Sequence, residues 1–260
     1  MADNDRKSEA EIPALISDPI ELAKLEASNA LKQYDRAVSE IESWIKAGKT
    51  NIRFPLLLEL HRLAMNGIDS YAGNFRPAKV TIKGSGHVPV AAEDVPRNVD
   101  EMLNYIHDNW ETRTAIHLSA FVMWRLNWIH PFADGNGRTS RIFSYLVLCG
   151  KLNQNLPGTR TIPEQIAENK APYYKALEAA DVQYKKGRID VTEMEQLLES
   201  YLANQLVSIH ELATGQIASS GGASSERSFG KKLLSEIESR PVLYTCLVAI
   251  ALAAIPLVFS

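Results

Sequence analysis

Cysteine is scarce in this chain of 260 residues: there are two, Cys149 and Cys246. Neither stands at a spacing that builds a zinc site or a disulfide framework, and so few thiols fit a reducing compartment. An excess of either charge is also missing. The 28 Lys and Arg against 31 Asp and Glu leave a net charge of −3, so the basic face of a general nucleic-acid binder is not expected. The opening stretch MADNDRKSEAEIP has no apolar core, so no signal peptide is expected. No internal repeat is found. Charge is absent altogether from the last twenty residues, Pro241–Ser260. What the chain does have is ordinary for a soluble globular protein, 45% apolar and 23% charged residues.

Helical spacing dominates the pattern. Residues 1–12 read as a disordered leader, and 13–53 as an N-terminal helical segment. Its helix, Ile20 to Ile45, carries Leu22, Leu25, Leu31, Tyr34, Val38, Ile41 and Ile45 at helical intervals and stops at Gly48. A second helix starts at Pro55. Val80, Thr81 and Ile82, then Gly84-Ser85-Gly86, then Val88 and Val90 predict a β-hairpin, with Pro89 marking an edge arm. Helices follow over Arg97–Trp110 and over TAIHLSAFVMWRLNWIH. The latter is apolar on most of its circumference and therefore central. Pro131 ends it. RTSRIFSYLVLCG restarts the helical pattern, and two later helices span Pro163–Lys186 and Val191–Leu212. The expected fold is all-α, a helical bundle with one short hairpin.

The chemistry concentrates in HPFADGNGRTSR. Gly135-Asn136-Gly137 precedes a helix, whose first N–H groups lack internal partners and carry the positive end of the macrodipole. Glycine lets a ligand approach that backbone, so phosphate is the natural guest. Arg138 and Arg141 are three apart and share a helix face. Asp134 can hold a divalent cation, and His130 can take a proton as neutral imidazole. These groups together form a phosphate-transfer set. The other histidines, His61, His87, His107, His117 and His210, lack such company and read as structural.

HPFADGNGRTSR resembles the Fic signature, His-x-Phe-x-(Asp/Glu)-Gly-Asn-Gly-Arg-x-x-Arg, with every defined position filled. The resemblance extends over Phe54–Leu212, taking in the hairpin and the NKAPYYKAL stretch, and makes residues 54–212 a Fic catalytic domain. It implies transfer of AMP from Mg–ATP to a Ser, Thr or Tyr hydroxyl of a target protein. His130 would be the base and Asp134 the Mg²⁺ ligand. Gly135, Asn136 and Gly137 would hold the α- and β-phosphates, Arg138 the β- and γ-phosphates and Arg141 the γ-phosphate, while Phe132 anchors the loop. The hairpin would be the flap that docks the target as an added strand, through Val80, Thr81, Ile82 and Val88. Asn169 and Tyr173 are placed near the adenine. Many members of the family carry an inhibitory Ser/Thr-x-x-x-Glu-Gly/Asn helix. Here SNALKQ puts Lys32 where its glutamate would fall, so an active enzyme is expected, or one restrained by a separate inhibitor or in a homodimer. Gly137 stands where the kinase-like Doc branch usually has lysine, which disfavours γ-phosphoryl transfer. The remaining alternative is a nucleotide-binding regulator without turnover.

The uncharged tail is about 30 Å long as a helix, close to the thickness of a bilayer's hydrocarbon core. A small-residue polar linker, 213–229, precedes it, and Lys231, Lys232 and Arg240 flank it. Residues 230–260 therefore read as a basic flank and a single-pass transmembrane anchor that leaves the catalytic domain in the cytoplasm.

Overall fold

The computed structural model describes residues 6–10, 15–156 and 160–214. The expected anchor and nearly all of the expected linker lie outside the described residues. Among the described residues, no helix is long and apolar enough to cross a membrane. The chain divides into two compact units, one of residues 1–155 and 170–195, the other of 156–169 and 196–260.

The first unit is built around two buried helices, α4 (Ala115–Ile129) and α5 (Asn136–Leu152). Apolar residues on nearly every side of α4 leave it no solvent face, as its sequence predicts. Where the two helices meet, Ser119 and Ser144 satisfy one another: their hydroxyls lie 2.8 Å apart, and each also donates to the other's carbonyl. Around this pair pack α1 (Pro19–Ala47), α2 (Phe54–Met65), α3 (Val95–Asp108) and α7 (Ala171–Tyr184). Val99, Met102, Leu103 and Ile106 form the buried face of α3, as expected.

α1 starts where Asp18 accepts from the N–H groups of Ile20 and Glu21, at 2.8 and 2.9 Å, and stops at Gly48 in the left-handed region. Its buried seam differs from the expected one. It runs through Asn29, Gln33, Ala37, Ile41 and Trp44, while Leu31 is 66% exposed. The amides of Asn29 and Gln33 donate to the carbonyls of Asn66, the C-cap of α2, at 2.7 Å and of Leu60 within α2 at 3.0 Å. Hydrogen bonding, which an apolar count ignores, thus selects that face. Trp44 lies against Gly150 of α5, where a Cβ would stand 3.0 Å from the indole ring.

The single helix expected over Pro163–Lys186 is two, α6 (Ile162–Glu168) and α7, because Pro172 sits in the first turn of α7 and the chain before it leaves the α region. α6 belongs to the second unit together with α8 (Thr192–Thr214) from Gln196 onward. There Thr161 and Glu164 form a reciprocal capping box, and Gln165 Nε2 donates to the Tyr201 carbonyl at 2.8 Å.

Two expectations about extended structure are corrected. The leader is not wholly irregular: β1 (Lys7–Glu9) pairs antiparallel with β2 (Thr81–Lys83), with Ser8 opposite Ile82. The second arm of the anticipated hairpin forms no strand, since Pro89 cannot donate and the Val90 carbonyl instead accepts from Arg76.

Candidate functional site

His130 is the C-cap of α4 and takes a left-handed conformation, φ 53° and ψ 61°. A non-glycine residue there costs on the order of 1–2 kcal/mol, so the surroundings must hold it. Arg76 does so: its N–H donates to the Pro131 carbonyl at 3.0 Å and its Nε to the His130 carbonyl at 2.7 Å. The same guanidinium donates to the carbonyls of Ala78 and Val90, which ties the segment around β2 to the turn at His130.

The ring is oriented as well. His130 Nδ1 donates to the Asn127 carbonyl at 3.4 Å, leaving the Nε2 lone pair free to accept. Burial pushes the His130 pKa down to about 3, with the cationic Arg76 and neighbouring His87 acting in the same direction, so the imidazole is neutral near pH 7. Nε2 faces Ser8 Oγ at 2.8 Å.

The loop after His130 is pinned from both sides. Phe132 is fully buried, as expected of an anchor, and stacks on His61 with ring centroids 3.7 Å apart. Gly73 N–H donates to His61 Nδ1, so His61 Nε2–H donates to the Asp134 carbonyl, both at 3.0 Å. Burial holds the His61 pKa down, at about 4. Gly135 has φ 72°, and a Cβ there would lie 2.6 Å from Met65 Sδ. Only glycine fits.

α5 begins at Asn136 with no side-chain cap, so its first N–H groups are not engaged by a capping side chain. Arg141 folds back over this turn, its Nη1 3.1 Å from where a Cβ on Gly137 would stand. Arg138 makes ion pairs with Asp134 at 3.6 Å and with Glu26 of α1 at 3.2 Å. The carboxylate of Asp134 is exposed. Among the described residues no group of three or more His, Cys, Asp or Glu could hold a metal. One exposed carboxylate beside an uncapped helix start nevertheless has the chemistry of a Mg²⁺ ligand, since that ion is commonly held by one or two carboxylates together with substrate phosphates.

The structure brings His130, Asp134, Gly135, Asn136, Gly137, Arg138 and Arg141 onto one loop and helix start, and Arg76 joins that loop to the Ala78 and Val90 carbonyls on either side of β2. Some assigned roles change. The Asn136 side chain is occupied by the Phe132 backbone, accepting from its N–H at 2.9 Å and donating to its carbonyl at 2.8 Å. It staples the loop rather than reaching for phosphate, so its contribution to an anion site is its backbone N–H. Tyr173 is 1% exposed, and its hydroxyl accepts from Asn127 Nδ2 at 2.7 Å, so it is a core brace rather than an open adenine platform. Asn169 ends α6 in the second unit. On the flap, Val80 is buried, Thr81 is exposed, Ile82 is half-buried and Val88 is 71% exposed, so Val80 cannot present its side chain to a target. Sequence reasoning missed Arg76, Asn127, Met65 and Glu26, while His61, read as structural, indeed buttresses the loop. The buried charge of Arg76 and the neutral His61 leave no periodic trace in the sequence.

Residues 51–148 match the model of the Fic/DOC family. Those residues are similar to a Fic domain. The chain is 29% identical over 122 residues to a protein adenylyltransferase Fic of Nematostella vectensis, covering 46% of this chain and 28% of that protein. It is 31% identical over 137 residues to the protein of the same name in Drosophila melanogaster, covering 51% and 26%. The matched segment thus spans about a quarter of the length of these curated relatives. Among solved structures, a Fic-domain-containing signalling protein from Bacteroides thetaiotaomicron superposes with a TM-score of 0.60 at 18% identity, over 75% of this chain and 76% of that one. That likeness is one of fold alone: the described residues have a mostly helical, Fic-like fold.

Proposed function

We propose that this Fic domain transfers AMP from ATP to a hydroxyl of a protein. The observation that supports the reading is the neutral His130, its Nε2 free to accept, set at the start of the loop that opens the uncapped α5 N-terminus with its two arginines. In this scheme His130 Nε2 takes the proton of the acceptor hydroxyl, and the oxygen attacks the α-phosphorus. The bond to the bridging α–β oxygen breaks and pyrophosphate leaves. The N–H groups of α5 and the cations Arg138 and Arg141 hold the phosphates and stabilise the charge that develops on them. A triphosphate must displace Glu26 from Arg138. Asp134 would hold Mg²⁺, whose charge neutralises the phosphates. The bound phosphates also raise the basicity of His130, since negative charge favours imidazolium.

The curated relatives named protein adenylyltransferase support the reading at about half of the chain. ATP labelled separately at its α- and γ-phosphates, incubated with the chain and a lysate, tests it. Protein-bound α-label is expected; γ-label would mean phosphoryl transfer, and no label would leave a nucleotide-binding regulator. Attachment to a membrane through residues 241–260 is a separate proposal that rests on their lack of charge and their length.

A further inference from the structure

We propose that Ser8 is an acceptor for this active site, so that the chain modifies its own N-terminal segment in cis. The inference rests on the transferase reading above and adds a substrate to it. Three observations place the segment as a docked acceptor. β1 adds to β2 of the flap in antiparallel register, Lys7 opposite Lys83, Ser8 opposite Ile82 and Glu9 opposite Thr81, which is how an extended peptide docks on a strand edge. Arg6 secures the near end on α7: its backbone N–H donates to Tyr174 Oη at 3.3 Å, its guanidinium lies 4.3 Å from the centroid of that ring, and it makes an ion pair with Glu178. Between these holds, the Ser8 hydroxyl points at the base, Oγ 2.8 Å from His130 Nε2.

The tautomer fits the direction of transfer. Nδ1 carries the ring proton toward the Asn127 carbonyl, so Ser8 Oγ–H is the donor and Nε2 the acceptor. General-base action needs this heavy-atom reach before reaction, about 2.6–3.2 Å. The step balances. Ser8 Oγ loses its proton to Nε2 and forms a bond to the α-phosphorus of the nucleoside triphosphate. The bond from that phosphorus to the bridging oxygen breaks, and pyrophosphate leaves. The product is a phosphodiester of Ser8.

The full chain is incubated with Mg²⁺ and α-labelled ATP, alone and with a lysate, and the labelled peptides are mapped. The expected result is AMP on Ser8 at a rate independent of protein concentration. Ser8→Ala should lose that label while still labelling lysate proteins, and Ser8→Thr, which keeps a hydroxyl, should restore it. In a mixture, active Ser8→Ala chains should leave Ser8 of His130→Ala chains unmodified. Labelling of lysate proteins or of other residues of the chain, with Ser8 bare, would overturn the inference but leave the transferase reading standing. Ser8 labelling that rises with concentration, or appears on the His130→Ala chains in the mixture, would overturn the in-cis assignment. AMP on no protein at all would overturn both readings together.

Discussion

Gly135→Ala probes the link between the core and the anion cradle. Two costs can be read from the structure. Alanine at φ 72° pays the left-handed penalty, on the order of 1–2 kcal/mol. Its Cβ would also stand 2.6 and 2.8 Å from Sδ and Cγ of Met65, a side chain with no exposure and so no room to swing away. Overpacking of that kind costs about 1–3 kcal/mol. The sum, about 2–5 kcal/mol, corresponds to a fall in melting temperature on the order of 5–15 °C at this chain size. The clash would be relieved by moving the loop off α2, which lengthens the 3.0 Å bond from His61 to the Asp134 carbonyl and shifts the start of α5. ATP affinity should therefore fall along with stability. Met65→Ala alone leaves a cavity and costs about 2–5 kcal/mol. In the double variant the Cβ enters that cavity, so the two losses should add to less than their sum, with a coupling of about 1–3 kcal/mol. Thermal and denaturant unfolding of the four proteins measures this, with calorimetry for ATP. Additive losses, or a Gly135→Ala protein as stable as the parent, would refute the packing argument.

Three further outcomes are expected. His130→Ala should reduce AMP transfer by about 10² to 10⁴ fold with ATP affinity nearly unchanged, since it removes a base and no phosphate contact; retained activity in the α-label assay would remove the base assignment. Glu26→Gln should tighten Mg–ATP binding by about 1.5- to 5-fold in calorimetry, because a half-exposed ion pair worth about 0.2–1 kcal/mol no longer competes for Arg138; weaker binding would mean Glu26 supports the site. The pH dependence of stability follows from His61 and His130, whose folded pKa values, about 4 and about 3, lie below the unfolded 6.5. A lowered histidine pKa means that the unfolded chain binds protons first, so this stability is present above pH 6.5 and is lost as the pH falls, toward about 4 for His61 and about 3 for His130. By pH 5 the loss is on the order of 1–2 kcal/mol per histidine, and His61→Gln should flatten the slope in urea titrations at pH 7 and pH 5. An unchanged slope would show that His61 is not buried neutral.

Local chemistry was legible because it is local. HPFADGNGRTSR names its own turn, helix start and charges within one stretch, and the C-terminal ends of α1 and α4 follow from Gly48 and Pro131, residues that act on their immediate neighbours. By the same logic the sequence alone determined a helical bundle around an apolar α4. Tertiary structure decided what depends on partners distant in the chain. Asn29 and Gln33 turn inward because carbonyls of α2 are there to receive them, so the apolar stripe of α1 did not reveal its buried face. Asn136 and Tyr173 look like ligand contacts in a motif but are satisfied inside the fold. Arg76, which belongs to no periodic pattern, holds the turn at His130 only through carbonyls that folding brings to it. The approach of Ser8 to His130 spans 122 residues and rests on a strand pairing that no local propensity encodes, because a three-residue strand forms only where an edge already waits for it.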